Sequence, residues 1–109
     1  MPHIIVSYAK PILNENTSGE LLKHLHKIAS GFETFSPEAL KLRARPFDQA
    51  WSGASFKDHV HVSMELLAGR RNELKESMAS SLQQETIRFL SNDAVSVTVE
   101  VRELEVYIK

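Results

Sequence analysis

The sequence has 109 residues, with 13 Lys and Arg against 14 Asp and Glu, a formal net charge of -1, 42% apolar residues and no cysteine. This is the balance of an ordinary soluble globular chain without the broad positive footprint of a phosphate-backbone binder. Lack of cysteine excludes disulfides, thiolate nucleophiles and zinc–thiolate sites. No apolar run approaches the ~20 residues that span a bilayer, and no basic leader precedes an apolar core. One domain over residues 1–109 is expected, in the cytoplasm, with neither nucleic acid nor membrane as a partner.

From Pro2 to Tyr8 the chain is short and β-branched, and Lys10-Pro11 bounds it. This predicts a buried strand beginning at the second residue. Asn14-Glu15-Asn16 reads as a loop. Thr17-x-x-Glu20 has capping-box spacing ahead of Leu21, Leu22, Leu25, Ile28 and Ala29, which share one helical face ended by Gly31. Lys23 and His24 fall on the other side of that helix, where a solvated face is expected. Ser36-Pro37-Glu38 predicts a short helical turn.

Leu40, Leu42 and Ala44 then alternate with Lys41, Arg43 and Arg45 as far as Pro46, the pattern of a half-buried strand with a basic face. Phe47 to Asp58, with Trp51-Ser52-Gly53-Ala54-Ser55 inside it, has no sustained period and reads as a loop. His59-Val60-His61-Val62-Ser63-Met64-Glu65-Leu66 is a second alternating strand, closed by Gly69. Leu74, Met78, Leu82 and Phe89 recur at roughly helical spacing up to Ser91-Asn92, and Val95, Val97, Val99 and Val101 form the last strand.

The order is β-α-β followed by β-α-β, an α+β plan in which each crossover is long enough to make its two strands parallel. His3-Ile4-Ile5-Val6-Ser7 and His59-Val60-His61-Val62-Ser63 share a pattern, as two similar halves require.

The sequence has no glycine-rich phosphate loop, dinucleotide fingerprint or strand-to-helix serine elbow. His59-x-His61 puts two imidazoles on one strand face, but no third ligand converges by spacing, so no metal site is assigned. Pro2 stands out by position. Removal of Met1 would leave a free secondary amine at the head of a strand. An α-amino group titrates near ~8, and desolvation or nearby cations lower that value. A neutral amine held in this way can take a proton from one substrate atom and return it to another. Proline in second place also simply favours methionine removal.

Lys41, Arg43 and Arg45 share a strand face, and Arg70 follows Ala68-Gly69. Arginine presents a planar fork suited to carboxylates. The same alternation equally suits a charged edge strand that resists pairing with other chains.

Pro2-His3-Ile4-Ile5-Val6, Leu42-Arg43-Ala44-Arg45 and Leu67-Ala68-Gly69-Arg70 resemble, in the same order, segments of the 5-carboxymethyl-2-hydroxymuconate isomerases of the tautomerase superfamily. The resemblance implies a four-stranded mixed sheet with two helices on one face, a homotrimer, and no cofactor. It implies Pro2 as the proton-shuttling base, Arg43 and Arg70 as partners of substrate carboxylates, and Arg45 as a further substrate-binding residue. The substrate implied is a small dienol or dicarboxylate from aromatic-compound catabolism, converted to its conjugated ketone. Hydration or decarboxylation at the same proline, or a trimeric binding protein without turnover, are the rival readings.

Overall fold

Alternation near the amino end builds the first strand, β1 (His3–Tyr8), in the computed structural model, which describes residues 2–32, 35–53 and 58–109. Ile4, Val6 and Tyr8 are buried on one side of it, and His3, Ile5 and Ser7 are half-buried on the other. The chain continues through α1 (Glu15–Ser30), a 3-10 turn (Pro37–Ala39), β2 (Lys41–Pro46), β3 (Asp58–Leu67), α2 (Asn72–Leu90) and β4 (Val95–Leu104). Residues 54–57 of the expected loop lie outside the described residues, and Asp58 already belongs to β3.

The sheet order is β2-β1-β3-β4. β1 and β2 are parallel, as are β3 and β4, and the two pairs meet antiparallel at β1 and β3. The sequence similarity between the halves has a structural counterpart: His3 pairs with Lys41 and His59 with Ser96, each across its own β-α-β crossover. This is the α+β, mixed-sheet plan expected from the sequence.

Both helices cover the face formed by Ile4, Val6, Val60, Val62, Met64 and Leu66, all essentially fully buried. α1 contributes Leu21, Leu25 and Ala29, and α2 contributes Met78, Leu82 and Thr86. These i, i+4 stripes give each helix one apolar side. Each large aliphatic side chain so buried stabilises the fold by roughly 1.5–3 kcal/mol. The Thr86 hydroxyl, although fully buried, donates to the Leu82 carbonyl at 2.7 Å and so carries no unmet desolvation cost.

α1 begins three residues earlier than Thr17-x-x-Glu20 suggested. Asn14 is the N-cap: its side-chain oxygen accepts from the Thr17 amide at 2.8 Å, and the Thr17 hydroxyl accepts from the Asn14 amide at 2.9 Å. Two orphan donors are thereby satisfied by a threonine in the N3 place usually filled by Glu or Gln. Glu20 instead pairs with Lys23 on the solvent side.

His24 departs from the solvated role expected of it. Its Nε2 is 2.9 Å from Glu85 Oε1 on α2, and its ring stacks on Phe89. Helix pairing across the sheet brings up a carboxylate that no spacing within α1 could reveal.

β3 hands over to α2 through Gly69, which has φ of +122°, a region that side chains with a Cβ rarely occupy. A Cβ added there would meet no atom within 4 Å, so the cost of Gly69→Ala is conformational alone. Gly69→Ala should destabilise the fold by about 1–3 kcal/mol. Chemical denaturation checks this, and an unchanged midpoint would show that the bend relaxes freely.

Candidate functional site

Pro2 lies one residue ahead of β1. Alternation places its ring on the helix-covered face, and it is fully buried. Its carbonyl accepts from the Lys41 amide at 3.1 Å, which ties the start of β1 to the start of β2. His3 faces Glu65 across the antiparallel pair, so the end of β3 and the bend after it lie beside Pro2.

Arg70 is therefore at the same end of the sheet as Pro2. Its guanidinium carbon stands 5.0 Å above the ring of the buried Phe35, and its Nη1 donates to the Leu67 carbonyl at 3.2 Å. The stacking orients the cation and contributes about 0.5–1 kcal/mol. Apolar burial of Pro2 together with a cation at this end disfavours the protonated form of an amine placed there.

Arg43 and Arg45 occupy the other face of the sheet, the one the helices leave open. They pair in register with Ile5 and Ser7 and are exposed. At ~3.3 Å per strand residue they lie roughly 7 and 13 Å beyond Lys41. The four residues singled out in the sequence thus fall into two groups within one chain. Pro2 and Arg70 share the sheet end on the helix side, and Arg43 and Arg45 extend along the open face.

His3 connects the two groups. It follows Pro2 in the chain, yet its side chain is on the open face, where Arg43 Nη1 donates to its Nδ1 at 3.1 Å. Its Nε2 is 2.9 Å from the Tyr107 hydroxyl, with the rings edge to face. Burial chiefly lowers the pKa of His3 from 6.5, with Arg43, the amino-terminal charge and Lys41 acting in the same direction and Glu65 opposing them. Sequence reading gave His3 and Tyr107 no role. Alternation puts His3 on the Arg43 face once the parallel register is known, whereas Tyr107 follows the last strand with no periodic signal.

Farther across the open face, Glu100 takes a hydrogen bond from Ser63 at 3.1 Å, pairs with Arg102 at 2.9 Å and lies 3.6 Å from His61 Nε2. Burial raises its pKa, but Ser63, Arg102 and His61 outweigh that and hold it below the usual carboxylate value. His61 Nδ1 is also 2.7 Å from the Thr98 hydroxyl, and His59 lies against Phe47. The two histidines thus share a face but have separate partners. Among the described residues no three potential metal ligands gather, and no helix is long and apolar enough to cross a membrane.

A search of curated proteins gives no match. The chain superimposes on a 5-carboxymethyl-2-hydroxymuconate isomerase from Deinococcus radiodurans R1 with a TM-score of 0.80 and 19% identity, covering 99% of this chain and 88% of that one. A 5-carboxymethyl-2-hydroxymuconate delta-isomerase gives a TM-score of 0.82 at 11% identity, covering 100% and 87%. A protein described as a fused 4-OT wild-type symmetric trimer gives 0.78 at 21%, covering 94% and 85%. At such identities the likeness is one of fold. The family model for 5-carboxymethyl-2-hydroxymuconate isomerase matches residues 2–108, nearly the whole sequence, and the chain belongs to that family.

Proposed function

We propose that the protein is a tautomerase that converts a muconate-type dienol carboxylate to its conjugated ketone, with Pro2 as the proton shuttle. The observation that carries this reading is a buried Pro2 at the head of a central strand, with a stacked arginine at the same sheet end, in a chain of this family. With Met1 attached the Pro2 nitrogen is an amide and has no basic lone pair, so the reaction begins with methionine removal. The free amine, kept neutral by burial and by Arg70, takes the proton of the 2-hydroxyl. The enol electrons move through the diene, and the ammonium form returns a proton to carbon, leaving the ketone conjugated with the remaining double bond.

Arg70 and Arg43 pair with substrate carboxylates, and Arg45 extends the same cationic surface. Negative charge that builds on the developing keto oxygen is stabilised by a cationic donor. No cofactor enters the scheme. Cleavage of an aromatic ring yields dienols of this type, and a role in aromatic-compound catabolism in the cytoplasm is part of the proposal.

A homotrimer belongs to this proposal. Structural neighbours described as symmetric trimers support it, as do Val106 and Ile108, which are 81% and 89% exposed in the carboxy-terminal tail. A trimer would also let the open face of one chain meet the Pro2 end of another.

The test is an assay with 5-carboxymethyl-2-hydroxymuconate, using protein shown by mass spectrometry to lack Met1 and by native mass spectrometry to be trimeric. Ketonisation is the expected result. Hydrated or decarboxylated products would replace this reading with the corresponding chemistry at Pro2, and no turnover would leave a binding protein.

A further inference from the structure

Arginine has only donors, so Arg43 Nη1 at 3.1 Å requires the Nδ1 of His3 to be an unprotonated acceptor. A neutral imidazole then carries its proton on Nε2, and that N–H donates to the Tyr107 hydroxyl 2.9 Å away. The three side chains come from β2, β1 and the tail after β4, and they are joined in one chain of hydrogen bonds through the two ring nitrogens of His3. We propose that His3 is a positioning residue that holds Arg43 ready for a substrate carboxylate, with Tyr107 accepting from the Nε2–H of the tautomer that Arg43 dictates. The inference rests on the proposed role of Arg43 and adds to it how that arginine is oriented and when it is released.

Arg43 is exposed, and His3 is its hydrogen-bond partner among the described residues. One N–H of the guanidinium is used, and the rest of its fork is left for a carboxylate. Lys41 and Arg45 flank it on the same strand face. An acceptor is the neighbour needed here, because a carboxylate in its place would neutralise Arg43 and compete with the substrate. A neutral imidazole orients the guanidinium without cancelling its charge.

Protonation reverses the arrangement. Imidazolium presents N–H on both nitrogens, cannot accept from Arg43, and repels it. The charged groups that face His3 are Arg43 and Lys41 on β2 and Glu65 on β3, with the amino-terminal charge only as long as Met1 is attached, and Tyr107 from the tail. The helices pack on the opposite face. Burial and the cations favour the neutral form, Glu65 opposes them, and the balance lowers the pKa from 6.5. Arg43 is therefore held in place at neutral pH and freed as the solution is acidified through that lowered value.

Three variants of the Met1-free protein test this, with 2-hydroxymuconate as the dicarboxylate and phenylenolpyruvate as the monocarboxylate. His3→Phe removes the acceptor and should raise KM for the dicarboxylate about tenfold, with kcat and the monocarboxylate KM little changed. His3→Asn puts an amide oxygen where Nδ1 stood. It should restore the parent KM and abolish the rise in KM at acid pH, because the amide does not titrate. Tyr107→Phe should keep the Nε2–H form seen in the parent, read by nitrogen-15 NMR, because Arg43 alone dictates it, and should raise the dicarboxylate KM less than His3→Phe does.

An Nδ1–H tautomer in the parent overturns the proposal, as does a dicarboxylate KM unmoved in His3→Phe or an equal loss on both substrates. A parent inactive on both enols overturns the isomerase reading alone. The positioning is then decided by the Arg43 Nη–H resonances, which should be shifted from their solvent-exposed values in the parent and return to them in His3→Phe. Identical resonances overturn it.

Discussion

Pro2→Ala, in protein freed of Met1, should lower kcat for dienol ketonisation by about 10²–10⁴-fold, the usual contribution of a positioned proton shuttle. KM should stay within a few-fold, because the arginines that bind carboxylate are untouched. The alanine variant still has an amine, so the loss measures what the ring supplies: an amine fixed in direction by the strand and shielded by apolar neighbours. A primary amine on a rotatable bond has more hydrogens for water to solvate and more orientations to occupy. The backbone tie from the Lys41 amide to the Pro2 carbonyl does not depend on the side chain. Thermal melting should therefore move far less than the rate, and a melt that collapses in parallel with kcat would point to a structural role. Retained Met1 should abolish turnover altogether, since acylation removes the lone pair. Equal activity with and without Met1 would rule out Pro2 as the base.

Elements with strong periodicity were legible from residues alone. Val60, Val62, Met64 and Leu66 alternate with polar neighbours, and that period fixes both the strand and its buried face. The similarity of the His3 and His59 segments indicated two like halves, and the sheet order has that doubling. The start of α1 was less legible, because Asn14 reads equally well as a loop residue and as a cap until its partner Thr17 is seen three positions on.

The site divided along similar lines. Pro2, Arg43, Arg45 and Arg70 could be singled out by residue type and position, but sequence does not state which face each occupies relative to the others. Parallel register puts Lys41 opposite His3 and Arg43 diagonally beyond it on the same face, within reach of the ring, and the return of the tail brings Tyr107 to the other ring nitrogen. His24 fails for the same reason: its partner Glu85 is on another helix. Contacts between elements distant in sequence are what a one-dimensional period omits.

Arg43→Gln should cut kcat/KM for a dicarboxylate dienol by about 10–10²-fold, from the loss of roughly 1.5–3 kcal/mol of charge-assisted hydrogen bonding. A monocarboxylate enol should lose much less, and equal losses for both would argue that Arg43 does not read the second carboxylate. Arg43→Lys should fall between, since it keeps the charge and loses the fork. Folding should be barely affected, because Arg43 is exposed on an edge strand beside Lys41, another cation.

Its removal also withdraws one of the influences that lower the pKa of His3, which should move back up toward 6.5. A histidine with a lowered folded pKa favours the native state fully above its unfolded pKa. That contribution is lost as pH falls through the folded value. With the two values closer together the window narrows, so Arg43→Gln should lose less stability than the parent between neutral pH and mild acid. Titration of the His3 ring by NMR, alongside denaturation at two pH values, measures both halves of this expectation. A His3 pKa that stays put when Arg43 is removed would mean that the guanidinium does not govern the ring.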